Sequence, residues 1–161
     1  MKKFLIGLAI ALVIIVVVII FLPQSAKDYA NYFGIQKTEP LKYSYIQQCR
    51  DAIVITDIEG TDPMTYGDIL NENAEYEYWT YDETVNADGT VSRTITGNGT
   101  RVTLAYGEDG DAGMLQRAKV KFLFTLDGKG GYDLSVYVND SLLKENDRNL
   151  LLQKMCQLAK E

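Results

Sequence analysis

Histidine is missing from this 161-residue chain, and cysteine occurs only twice, as Cys49 and Cys156. Without an imidazole, the side chain that titrates near neutral pH is unavailable, so no Ser–His or Cys–His pair can be assembled. Two cysteines also fall short of the four-ligand set of a structural zinc site. No metal and no cofactor is expected. Positive charge is scarce too: there are 16 Lys and Arg against 22 Asp and Glu, and setting aside Lys2 and Lys3 leaves 14 against 22, a net −8. Such a body repels phosphate backbones and anionic lipid, so nucleic acid is not an expected partner. The acidity reads first as solubility.

What the chain does have is one long uncharged run, residues 4–22. A helix rises about 1.5 Å per residue and a hydrocarbon core is about 30 Å thick, so this run is long enough to span a bilayer. A cleavable secretory signal would have a shorter core, about 7–15 residues, followed by a small-x-small site. Here Pro23 or Gln24 would stand at the outer small position. The unbroken 13–21 segment has no polar face, which argues against an amphipathic core helix. An uncleaved anchor is the expectation. Lys2 and Lys3 precede it, so the amino terminus should stay cytoplasmic and the rest of the chain extracytoplasmic. No cysteine at the end of the run offers a lipid attachment point. The short, lysine-initiated leader is of bacterial type.

The expected organisation is a transmembrane signal anchor (1–23), a juxtamembrane segment and linker (24–40) and one extracytoplasmic domain (41–161). Ala26, Tyr29, Ala30 and Phe33 recur at helical spacing and suit the membrane interface. Residues 36–40 end in a proline and read as linker. The remaining length suffices for one core, not comfortably for two. In an oxidising compartment Cys49 and Cys156 are candidates for a disulfide closing most of that domain, which would stabilise it by about 4–5 kcal/mol in the chain-entropy picture. Two separate buried thiols are the alternative.

Within the domain, Tyr43, Ile46, Cys49 or Arg50, and Ile53 suggest a helix, and the β-branched 53–56 segment a strand. Asp62 before Pro63 predicts the start of a short helix running to about Asn71. The clearest strand signal is 74–81. Tyr76 and Tyr78 share one of its faces and Trp79 and Tyr81 the other, because side chains alternate along a strand. Aromatic groups on both faces mean that the strand is either central and covered twice or offers one face to a partner. Strands 91–96 and 100–106, turning at Gly97-Asn98-Gly99, then 118–126 and 132–138, turning at 127–131, complete an antiparallel meander. A last helix, beginning at Ser141 or Asp147 and ending near Lys160, puts Leu151, Leu152, Met155, Cys156 and Ala159 on one stripe. The fold class is α+β.

Several local features resemble functional motifs and fail on chemistry. Asp109-Gly110-Asp111-Ala112-Gly113 opens like a calcium loop, but glycine stands at the third ligand position and Val120 at the twelfth. The glycines of 127–131 join two strands, whereas a phosphate loop leads into a helix. Asn98-Gly99-Thr100 and Asn139-Asp140-Ser141 match the glycan sequon as chance would supply it in an Asn-rich chain. Glu75, Glu77, Asp82 and Glu83 are the carboxylates a hydrolase would draw on, without a nucleophile motif to support them.

The sequence Thr65-Tyr66-Gly67-Asp68-Ile69-Leu70, then Trp79 with Tyr81, Gly97 to Thr100, Val120-Lys121-Phe122 and the Asp127 turn resembles a small domain of uncharacterised Gram-positive membrane-anchored or zinc-ribbon proteins. The likeness covers about residues 62–138. It implies a short helix with an antiparallel sheet and no catalytic residues. The expected function is a non-catalytic binding or accessory module of a cell-envelope complex, partnered by another envelope protein. Its partner-facing residues would be Tyr76 and Tyr78, or else Trp79 and Tyr81. A pilin-like subunit is the alternative, although the cleavage glycine and the early glutamate of that layout are missing; a carboxylate hydrolase is the third.

Overall fold

The computed structural model describes residues 35, 38–54, 63–105 and 115–159. The expected anchor at 4–22, nearly all of the juxtamembrane segment, residues 55–56 of the expected strand and the acidic 107–113 loop lie outside them. Among the described residues, no helix is long and apolar enough to cross a membrane.

The described chain is α+β. Two helices, α1 (Pro40–Arg50) and α2 (Tyr66–Asn73), precede strands β1 (Tyr76–Val85), β2 (Val91–Ala105), β3 (Leu115–Leu126), β4 (Tyr132–Val138) and β5 (Ser141–Leu142), and α3 (Glu145–Leu158) follows. The strands form one antiparallel sheet in sequence order. Period-two patterning makes it two-sided. Along β3, Ala118, Val120, Phe122 and Phe124 are buried while Arg117 and Lys119 are exposed. Val136 of β4 is buried beside them, with Leu134 and Val138 packed against the core.

All three helices share the core of that face. Ile46 and Cys49 of α1, Ile69 and Leu70 of α2, and Leu152 and Met155 of α3 belong to one buried cluster with Trp79, Ile95, Phe122 and Phe124. Tyr66 sits edge-on to both phenylalanines, at ring-centroid distances of 5.4 and 5.1 Å. Buried Asn73 ties two helices together, its amide donating to the Ile69 carbonyl at 2.8 Å and the Met155 carbonyl at 2.9 Å. The turn after β3 is built by Asp127, whose Oδ1 accepts from the Lys129 and Gly131 amides at 2.7 and 2.9 Å.

Several expectations are corrected. The turn expected at Gly97-Asn98-Gly99 does not form: β2 runs continuously through it. A Cβ on Gly97 would lie 2.7 Å from the Trp79 ring, and one on Gly99 2.8 Å from Leu70 Cδ2, so these glycines admit neighbouring side chains. β1 is an edge strand, not a central one covered twice. Pro40 opens α1 instead of closing a linker, since its fixed φ suits the first helical turn. The cap of α2 is Thr65, not Asp62: Thr65 Oγ1 accepts from the Asp68 amide at 3.1 Å, and the Asp68 carboxylate accepts from the Thr65 amide at 3.0 Å. Ile53 makes only an isolated bridge to Thr65. Ser141 and Leu142 form β5, and α3 begins at Glu145. No disulfide joins Cys49 and Cys156; both are buried thiols within the apolar cluster, where a thiol packs as a small hydrophobe.

Candidate functional site

Because every described helix packs on the Trp79 side, the opposite face of the sheet is left to side chains of even position in β1 and, from Thr94 to Thr100 ahead of the register shift, in β2, and of odd position from Arg117 on in β3 and in β4. None of them is buried. The register sets Tyr78 beside Asn98, Asn98 beside Lys121 and Lys121 beside Tyr137, a row across four strands. Two tyrosines thus flank an amide and an amine. Lys121 Nζ lies 4.2 Å from the centroid of the Tyr137 ring, within range of a cation–π contact.

Alongside this row, toward Thr100 and Lys119, the face deepens into a hollow of about 750 Å³ that Tyr78, Asn98 and Lys121 help to line. A β-bulge makes it. Gly99 pairs with Val120 and Val102 with Ala118, so Thr100 and Arg101 together oppose Lys119. Such an insertion bends its strand and re-aims a side chain. Arg101 takes a φ of 54°, in the left-handed region that disfavours a side chain. Across from it, Asn139 and Asp140 also have positive φ, and Asn139 Oδ1 accepts from the Lys119 amide at 2.9 Å.

The hollow is basic although the chain is acidic. Arg101, Arg117, Lys119 and Lys121 line it with Tyr76 and Tyr78, and Asp140 is the one carboxylate among its lining residues. Glu75 stands beside it: Arg101 Nη1 donates to both of its oxygens, at 2.8 and 2.9 Å, and Arg117 Nη1 lies 3.9 Å away. The Arg101 hydrogen bonds hold the Glu75 carboxyl below its ordinary range.

The four aromatic residues expected to matter divide between the two faces. Trp79 is fully buried, its Nε1 donating to Glu77 Oε1 at 2.6 Å. Tyr81 is half-buried on the same side, stacked on Tyr45 of α1 at 6.0 Å and donating to Glu83. Tyr76 is 57% exposed and Tyr78 half-buried on the open face. The candidate carboxylates do not converge. Glu77 pairs with Arg50 at 3.2 Å and Glu83 with Arg93 at 3.3 Å on the helical side, Glu75 turns to Arg101, and Asp82 falls on the other face. Glu83 too is held low, by the Tyr81 hydrogen bond first and Arg93 after it, the wrong direction for a general acid. Among the described residues, no group of three or more His, Cys, Asp or Glu is placed to hold a metal ion.

The sequence reading missed Arg101, Arg117, Lys119, Lys121 and Tyr137. A signal was present in the alternation Thr94, Thr96, Asn98, Thr100, which continues through the two glycines and marks one strand with a polar face. No family model matches the chain, and no curated protein and no solved structure matches it.

Proposed function

We propose that this protein is a non-catalytic binding module, tethered outside the membrane by residues 4–22, that docks another envelope protein on the open face of its sheet. The observation that carries the reading is the two-sidedness of β1. Its Trp79 side is consumed by the helices, whereas its Tyr76 and Tyr78 side lies beside a hollow that no described helix fills. Tyrosine suits such a place because it buries a large rigid area at small entropic cost and keeps a polar tip. The choice between the two aromatic pairs therefore falls on Tyr76 and Tyr78.

The test compares cross-linked complexes recovered with tagged full-length protein from cells. Tyr76→Ala with Tyr78→Ala should deplete the specific partner bands about tenfold or more, as expected where hot-spot truncations cost about 2 kcal/mol each. The melting transition should stay nearly unchanged. Trp79→Ala should instead lower that transition, by about 3–5 kcal/mol of stability, because it empties a packed site. If both sets destabilise alike and neither changes the recovered complexes, the open face is not a docking surface.

A further inference from the structure

We propose that the basic hollow is a carboxylate-binding subsite that takes an extended acidic segment of the protein partner, a proposal that rests on the reading of this face as the docking surface. Charge complementarity is the first argument. In a chain of net charge −6, four cations gather at one hollow. Glu75 engages Arg101 and approaches Arg117, but among the described residues no carboxylate lies within ion-pair distance of Lys119 or Lys121. Among the described residues, Glu75 and Asp140 set against these four cations leave the hollow two positive charges in excess.

Geometry selects the occupant. Arg117, Lys119 and Lys121 point to the same face of β3 from every second position, so they are spaced about 6.5–7 Å apart along the strand. An extended peptide repeats its side chains on one side at that same interval. Carboxylates at alternate positions of such a segment would each meet a cation, with Tyr76 and Tyr78 flanking its backbone. Glu75 demonstrates the chemistry in miniature, since it is a carboxylate already seated on the bulge arginine through two hydrogen bonds. A bilayer fits less well. Lys121 is half-buried with its ammonium held against the Tyr137 ring, so a flat surface has less access to it than a narrow extended segment does.

The experiment uses full-length protein in a non-ionic detergent and fluorescence anisotropy of a fluorescein-labelled peptide of alternating glutamate and serine. The glutamate peptide should bind, and its glutamine counterpart should bind about tenfold more weakly or not at all, with affinity falling as salt rises through about 0.15 M. Joint reversal by Lys119→Glu and Lys121→Glu should weaken binding about tenfold or more, and the milder Lys121→Gln should weaken it in the same direction with an unchanged melting transition. Lys144→Glu, at the cap of α3, should leave binding as it was. Equal binding by the reversed variant, or by the glutamine peptide, overturns the proposal. So does binding of phosphatidylglycerol vesicles without binding of the peptide, which would make the hollow a membrane contact. Should Tyr76→Ala with Tyr78→Ala deplete the cellular complexes while the peptide fails to bind, the docking face stands and its carboxylate chemistry falls; if neither responds, both fall.

Discussion

Cys49 illustrates how one buried side chain links packing to pH. It is fully enclosed by the core, and burial pushes its thiol up from about 9 to about 12. Tyr66, buried beside Phe122 and Phe124, is raised in the same direction, chiefly by desolvation. Both groups are neutral when protonated, so the folded state retains its protons to higher pH than the unfolded chain does. The stability due to Cys49 is therefore fully present below pH about 9 and is lost as pH rises from there through about 12. Urea denaturation at a series of alkaline pH values should show the midpoint falling across that window. Cys49→Ala lowers stability at every pH but should flatten the fall. An equally steep decline in the variant would mean that this thiol does not carry the pH dependence.

Among the elements, β2 shows where sequence logic and tertiary packing part. Asn98-Gly99 is the strongest short hairpin signal a chain can carry, and it predicts a turn. What overrides it lies far away in sequence: the Trp79 indole occupies the space over Gly97, and Leu70 that over Gly99. No local pattern could reveal that Trp79 faces Gly97, yet the whole open face depends on it, because a turn there would leave Tyr78 with no Asn98 beside it. By contrast, the 127–131 turn was legible since Asp127 makes it with its own neighbours, and β3 and β4 were legible since alternation alone assigns their faces. The packing account of Gly97 makes a sharp prediction. Gly97→Ala should cost about 1–3 kcal/mol in thermal or urea denaturation, because the added methyl collides with a fully buried ring. In a Trp79→Phe background the smaller ring should absorb the methyl and the cost should shrink, a non-additivity expected only of residues in contact. A neutral Gly97→Ala, or equal costs in the two backgrounds, would refute the close-packing account.

At the scale of the whole molecule, the described fold has two layers, with helices on one side of the sheet and the basic, aromatic face on the other. For such a body to meet an envelope partner, residues 4–22 must hold it on the outer side of the membrane. That orientation rests on the placement of positive charge: Lys2 and Lys3 stand directly before the apolar run, while Lys27 is the one basic residue among the ten that follow it. Positive flanks are retained in the cytoplasm, and within short flanking segments lysine and arginine decide orientation while acidic residues contribute little. The excess of acidic over basic residues in the whole chain, 22 against 16, therefore does not oppose it. Protease added to intact spheroplasts should remove a carboxyl-terminal tag and digest the body, leaving a membrane-bound fragment of the anchor. Moving the lysines tests the cause: Lys2→Gln and Lys3→Gln, combined with lysines placed at Gln24 and Ser25, should make part of the population resistant until the cells are lysed. Digestion only after lysis of the unaltered protein would reverse the orientation and take the docking face away from any extracytoplasmic partner. Recovery of the unaltered protein from the medium would mean that residues 4–22 are cleaved as a signal and do not anchor it.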